Sequence, residues 1–440
     1  MLQETAAAFI PETTAAEPDH DEPRRQIITP TGRLADAPPV AAAQRAAGKT
    51  ASAGANVPDV KLPPLEAPTD PKGSAPFNPD APDRRVGYAV VGLGHLTLDE
   101  ILPAFGRCKH AKLTALVSGD AEKLRQVARQ YSIDPGSCYS YQTYDALKDN
   151  PAVEVIYIVL PNSMHHEFTL RGAQAGKHIL CEKPMANSVK ECEEMIAACQ
   201  KAGKKLMIAY RIQYEPLNRL AQQAVRANTY GATKLIQMVN CQNQAHDQQW
   251  RHQKALAGGG ALPDIGLYCL NTTRFLLGEE PIEVTAQVHS TPGDARFREV
   301  EENVAFTLRF PSGVLAQCLT GYGSFAHRAY TVHAETGRIT MDPAFAYQGL
   351  RQERAHAPHG TEVKETHANP QVDQFALEMD HMAACVRHNK TPYTPGEEGL
   401  QDQRLMEAIY QSVRENKPVK LPVVARLDAF RGEAPTEDEA

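Results

Sequence analysis

Val86-Gly87-Tyr88-Ala89-Val90-Val91 runs directly into Gly92-Leu93-Gly94, and beyond it Leu98, Ile101, Leu102 and Phe105 recur at helical spacing. Strand, glycine turn and helix in that order is the context a dinucleotide-binding fingerprint requires. Gly92 allows the tight turn, and Gly94 lets the backbone approach a pyrophosphate at the helix N-terminus. The third fingerprint position holds Thr97 in place of glycine or alanine. A bare GxG is a weak signal; its place behind a strand, at the start of the folded region, gives it weight.

Strand and helix then alternate. Residues 113–117, 153–160, 179–181 and 205–209 read as strands, with helices expected over 164–175 and 188–201. Such alternation implies a parallel, doubly wound sheet. After Arg211 the pattern changes. A helix over 216–227 and a strand over 234–244 lead into alternating runs at 283–289, 304–310, 314–320, 329–334 and 338–341. Turn signals such as Pro311-Ser312-Gly313 and Glu335-Thr336-Gly337 separate them. Helices over 372–386 and 401–415 close the region. The expected fold is therefore α/β: an N-terminal Rossmann-type doubly wound parallel sheet (84–211) plus a C-terminal α/β domain with a mainly antiparallel open sheet (212–425).

Residues 1–83 differ in kind. They are rich in Ala, Pro, Thr and Asp and nearly free of aromatic residues, so they cannot bury enough apolar surface to offset their ordering entropy. A disordered or extended Pro-rich arm is expected, either lying across a partner subunit or serving as a linker; 426–440 read as a polar tail. Arg24-Arg25 is not followed by the apolar stretch of an export signal. Nine cysteines lack a CxxC pair or metal-ligand spacing, which fits a reducing compartment, the cytoplasm, and no metal. A net charge of −7 gives no basis for a nucleic-acid or anionic-membrane partner. No apolar run is long enough to span a bilayer.

Candidate chemistry gathers where strands end. Ile179, Leu180 and Cys181 form a buried strand that Pro184 terminates, leaving Glu182 and Lys183 at the edge where open α/β sheets bind ligands. A lysine there is a candidate proton carrier; in isolation, Glu-Lys-Pro is more often a surface ion pair. Asn162 or Ser163 would cap the helix after 153–160, placing His165 in its first turn near the expected nicotinamide unless it is an ordinary surface histidine. Gly258, Gly259 and Gly260 give a flexible approach to a helix starting near Pro263. On that helix Asp264 and Tyr268, four apart, share one face; taken singly they would be a cap and a core tyrosine. Ser118 and Gly119 stand where an NAD site usually carries an acid. With Lys123 one turn later they suit a 2′-phosphate, which favours NADP over NAD. In the alternative, Asp120 reaches the ribose and Lys123 is solvated.

Taken together these stretches resemble the Gfo/Idh/MocA family of NAD(P)-dependent oxidoreductases, its glucose–fructose oxidoreductases in particular. The resemblance rests on Gly87 through Gly94, Leu116 through Gly119, Leu160 through Ser163, Cys181 through Met185, Gly258 through Tyr268, Ser312-Gly313, and Pro395 through Gly399 with Gln401-Asp402. It implies an NADP-dependent enzyme moving a hydride between a sugar, aldose or ketose, and nicotinamide, with the cofactor tightly held. An ordinary dehydrogenase exchanging free cofactor and a non-catalytic NADP-binding redox sensor are the alternatives. Lys183 would be the catalytic lysine, with Asp264 and Tyr268 beside the substrate and Tyr210 and Arg211 lining the same pocket. Trp250 and Arg251 match a cofactor-covering loop. His95, Leu96, Tyr141, Leu160, Pro161, Asn162, His165 and Glu182 complete the implied cofactor contacts. A positively charged nicotinamide is expected to favour a neutral, proton-accepting Lys183. The C-terminal sheet would carry a homo-oligomer interface, dimeric or tetrameric.

Overall fold

All residues of Val86–Val91 and Val155–Ile158 are buried, and so are all of Leu206–Ala209. Strands apolar on both faces need a covering layer on each side, which crossover helices supply. The computed structural model describes residues 78–244, 249–368 and 372–436. Its first sheet is all parallel: β1 (Val86–Val91), β2 (Ala111–Val117), β3 (Cys138–Tyr139), β4 (Val155–Ile158), β5 (His178–Glu182) and β6 (Leu206–Ala209). The spatial order is β3-β2-β1-β4-β5-β6. That is the doubly wound arrangement expected, and its order reverses between β1 and β4, where a crevice opens at the carboxyl ends.

The second sheet has nine strands: β7 (Thr233–Asn243), β8 (Glu283–His289), β9 (Asn303–Arg309), β10 (Leu315–Gly321), β11 (Gly323–Ala334), β12 (Gly337–Met341), β13 (Arg351–His356), β14 (Val363–Ala368) and β15 (Val419–Lys420). Only the β7–β10 pairing is parallel. Alternate residues of β7, Ile236 and Met238, turn into the core under the helix Leu267–Leu277, while Leu235 on β7 and Leu315 and Leu319 on β10 face outward and are exposed. Both sheets belong to one compact unit. Among the described residues no helix is long and apolar enough to cross a membrane, and all nine cysteines are free thiols.

The chain ends depart from expectation. Most of the predicted arm lies outside the described residues, but packing begins before Arg84. The Asp80 carboxylate meets His110 Nδ1 and Arg387 Nη1, each at 2.8 Å, and Lys112 Nζ donates to Pro82 O at 2.6 Å. Nor is the stretch after residue 426 a free polar tail up to the last described residue. Arg431 is buried and donates to Glu398 Oε1 at 2.6 Å, inside a cluster where fully buried Arg274 meets Glu280, Glu398 and Asp402. Composition reads such a segment as solvated because a buried cation is tolerable only beside anions brought from elsewhere in the chain.

Candidate active site

A cavity of about 700 Å³ lies at the carboxyl edge of the parallel sheet, walled on its far side by β7 and β11. Gly92 has φ +95°, and a Cβ there would stand 2.1 Å from Val159 O, so the turn admits no side chain. Apart from its chain neighbours, no atom of the described residues lies within 4 Å of a Cβ built on Gly94, whose backbone faces open space. Thr97 replaces the third glycine with a bond: buried, it donates from Oγ1 to Gly92 O at 2.7 Å and closes the turn. The following helix is irregular. Thr97–Ile101 is a π-turn leading into Leu102–Ala104, because Pro103 has no N–H to continue the α pattern.

At the end of β2, Ser118, Gly119 and Lys123 line the cavity together with Tyr141. Tyr141 lies so close over Gly119 that a Cβ there would be 2.8 Å from its ring. Asp120 caps the helix Ala121–Gln130, its Oδ1 accepting from the N–H groups of Glu122 and Lys123 at 3.0 Å each. The Lys123 N–H in particular holds its carboxyl below the usual value. The ribose role considered for Asp120 therefore competes with this cap. His95, Leu96, Leu160, Pro161 and Asn162 also line the cavity.

Two expectations on the next helix, Asn162–Gln174, are corrected. Neither Asn162 nor Ser163 caps it; the cap position is Pro161, and Asn162 Nδ2 instead donates to Ala257 O at 2.8 Å, tying the helix to the short helix Lys254–Ala257 before the glycines. His165 does not reach the cavity. It is fully buried, its ring nitrogens 2.9 Å from Pro184 O and 2.8 Å from Leu160 O, and braces the two segments that do line it. First-turn residues can face inward as well as outward, and the local pattern does not say which.

The chemical end is built around Lys183, at the end of β5. Its Nζ donates to Asp264 O at 2.9 Å and Oδ1 at 3.3 Å, and sits 4.7 Å from the centroid of the Tyr268 ring. Asp264 Oδ2 accepts from Arg251 Nε at 3.0 Å and from the Tyr322 hydroxyl at 2.7 Å. Burial alone would raise the Asp264 pKa, but Arg251, Lys183 and Tyr322 outweigh it and hold the carboxyl well below the usual range. Burial would likewise lower Lys183, yet Tyr268, Asp264 and Glu182 hold it above its ordinary value. Asp264 therefore favours the protonated lysine and opposes the nicotinamide charge that would favour the neutral form.

Asp264 lies in a π-turn, Leu262–Gly266, with Pro263 tolerated in its first turn, just ahead of the helix that carries Tyr268. The glycines before it are close-packed, not flexible: a Cβ on Gly260 would be 2.0 Å from Glu301 O. Arg211 Nε donates to the Tyr268 hydroxyl at 3.2 Å, and the buried guanidinium also bonds Phe345 O at 2.8 Å and lies 4.6 Å from the Tyr347 ring centroid. Tyr210, expected beside the substrate, does not line this cavity; its side chain is buried, with Asp402 as a neighbour. Glu182 Oε1 accepts from the Tyr157 hydroxyl at 2.8 Å, and burial raises its pKa. Trp250 and Arg251 form part of the rim, the guanidinium 4.5 Å from the Trp250 ring centroid. Sequence reasoning missed Tyr322; an aromatic residue between Gly321 and Gly323 was the available signal.

Residues 86–210 match the model of an oxidoreductase family with an NAD-binding Rossmann fold, Gfo/Idh/MocA, and residues 232–421 match that family's C-terminal alpha/beta domain. The chain belongs to this family. It is accordingly an NAD(P)-dependent oxidoreductase. A D-xylose 1-dehydrogenase [NADP(+)] of Haloarcula marismortui is 31% identical over 78% of this chain and 94% of its own. A 1,5-anhydro-D-fructose reductase of Ensifer adhaerens is 29% identical over 57% of this chain and 74% of its own. An aldose-aldose oxidoreductase from Caulobacter crescentus, crystallised with glycerol, superposes with a TM-score of 0.74 at 43% identity, covering 77% of this chain and 100% of that one. In a Gfo/Idh/MocA oxidoreductase the open backbone face at Gly94 and the donors at the end of β2 fit a dinucleotide, and Lys183 stands at the other end of the same cavity.

Proposed function

We propose that this oxidoreductase transfers a hydride between a sugar carbinol carbon and NADP. One observation carries the reading: Lys183 Nζ, bonded to Asp264 and beside Tyr268, lies in the same cavity as the glycine turn after β1. The sugar class is supported by the relatives at 31% and 43% identity, which act on xylose and on aldoses. NADP is supported by Ser118, Gly119 and Lys123 and by the use of the Asp120 carboxylate as a helix cap.

The bound nicotinamide supplies the hydride acceptor or donor. Lys183 holds the proton that a carbonyl oxygen needs as it becomes an alcohol. Arg211 Nε occupies the oxygen of Tyr268, leaving its O–H to point elsewhere and share that proton traffic. In the oxidising direction Lys183 must first release its proton, against the pull of Asp264. Asp264 orients Lys183, and Trp250 with Arg251 covers the rim and limits water. We place the protein in a reducing compartment, the cytoplasm, and assign its uncovered sheet face, with Leu235, Leu315 and Leu319 exposed, to contact with a second copy.

The test is single-turnover spectroscopy of protein loaded with NADP. Adding individual aldoses should produce the reduced-nicotinamide absorbance, and a second carbonyl sugar should abolish it. No response across pentoses and hexoses would overturn the reading. Gel filtration followed by measurement of remaining NADP(H) separates a tightly held cofactor from an exchanging one.

A further inference from the structure

The inward face of β7 changes character where it reaches the cavity. Ile236 and Met238 point into the core; the next residues on the same face, Asn240 and Gln242, are amides that line the cavity. Their orientations are fixed by neighbours. Asn240 Nδ2 donates to Ile265 O at 2.9 Å, and a carbonyl can only accept, so the amide oxygen faces the other way. That oxygen is buried and has no donor among the described residues. Gln242 Oε1 accepts from Arg328 Nη2 at 2.9 Å, which leaves the Gln242 amide N–H groups as donors. Arg328 lines the cavity too, and no carboxylate among the described residues pairs with it. Tyr347, its ring stacked by the Arg211 guanidinium, lines the same cavity.

From this juxtaposition we propose that Asn240 and Gln242, backed by Arg328, form a subsite that reads the hydroxyls of a polyol chain remote from the reacting carbon. An acceptor beside a donor suits neighbouring hydroxyls, each of which gives one hydrogen and takes another. The buried acceptor on Asn240 lacks a hydrogen that a hydroxyl would supply, and an unmet buried acceptor costs stability. The subsite rests on the sugar-oxidoreductase reading but makes a separate claim: discrimination comes from an amide pair on β7 and not only from Lys183, Asp264 and Tyr268.

The chain's only tryptophan, Trp250, lies on the cavity rim, so intrinsic fluorescence reports binding there. Protein loaded with NADP is titrated with xylitol, sorbitol and their singly deoxygenated analogues, which binds the subsite without requiring turnover. Wild type should bind at least one alditol about 10- to 100-fold more tightly than its best-discriminated deoxy analogue, the scale of a hydrogen bond to a buried group. Gln242→Met and Asn240→Leu should each bring the parent alditol down to the level of one deoxy analogue and leave that analogue's affinity unchanged. Because Asn240 also holds the Asp264 turn, Gln242→Met and Arg328→Met serve as variants free of that contact, and NADP affinity is measured for all of them. Uniform losses for parents and every deoxy analogue, or no alditol binding to wild type, would overturn the subsite. Alditol binding without hydride transfer from any aldose would instead overturn the reading of function and leave the subsite standing.

Discussion

Asp264→Asn tests whether this carboxylate sets the charge of Lys183 or holds the substrate. The Lys183–Asp264 separation is 3.3 Å. At an effective dielectric of about 20 to 40, a unit pair at that distance is worth roughly 2.5–5 kcal/mol. At about 1.36 kcal/mol per pKa unit, Lys183 should lose about 2–4 units on neutralisation of Asp264. Arg251, left without its carboxylate, acts in the same direction. Asparagine can still accept from Tyr322, and the Asp264 carbonyl bond to Nζ is a backbone contact that persists. Hydride transfer is followed in single turnover in both directions across pH. Carbonyl reduction needs the protonated lysine and fails above its pKa; alcohol oxidation needs the neutral form and fails below it. Both midpoints should therefore move down by the same amount. If rates fall in both directions while the midpoints stay within about half a unit, Asp264 acts on the substrate directly, as the sequence suggested.

Lys183→Met should leave NADP bound and lower hydride transfer by about 10²–10⁴ in single turnover; an unimpaired rate moves the chemistry elsewhere. Lys123→Ala should weaken NADP by roughly 1–3 kcal/mol and NAD hardly at all, and equal losses in a titration would remove the 2′-phosphate assignment. His178, whose Nδ1 accepts from the Lys205 N–H at 3.0 Å, is pushed down to about 4 by burial and by Lys204 and Lys205. Its folded pKa lies below the unfolded value of about 6.5, so the unfolded chain takes up the proton first and stability is lost as pH falls through that window. Discounted for partial exposure, the loss from pH 7 to 5 is about 1 kcal/mol; urea unfolding of His178→Asn should show a correspondingly flatter fall, and identical slopes would refute the assignment.

The strands of the parallel sheet were legible because each is apolar on both faces and followed by a helix, a pattern few other arrangements produce. β3, two residues long, offers no periodicity. β13 and β14 were missed for another reason. Arg351–His356 and Val363–Ala368 are mostly polar or charged strands at the edge of the sheet, held by pairing with each other and with β12 rather than by burial. The helix Gly396–Glu415 starts five residues before the expected 401. Its first turn carries two glycines and two glutamates, whose inward face is chosen by Arg274 and Arg431 and not by hydrophobicity.

The same limit governs the site. Lys183, Asp264 and Tyr268 were findable because each lies at a strand end or a helix start, where backbone geometry exposes side chains. Their pairing was not, since Lys183 and Asp264 are 81 residues apart, and charge compensation depends on distance in space. Behind them the dependence extends further. Arg274 and Arg431 face the carboxyl groups of Glu280, Glu398 and Asp402 in a dry cluster. Three carboxylates against two guanidiniums would leave a buried negative charge, and the imbalance falls on Asp402. Burial, against the pull of Arg274 and with the repulsion of Glu398, pushes Asp402 up to about 6, while Glu398 is held down. Tyr210 packs on Asp402, and Arg211, the next residue, carries the bond to Tyr268. The strand end that presents Arg211 to the cavity is thus seated on a cluster completed by a residue near the end of the described chain, which is why neither that segment nor Tyr210 could be assigned from local sequence.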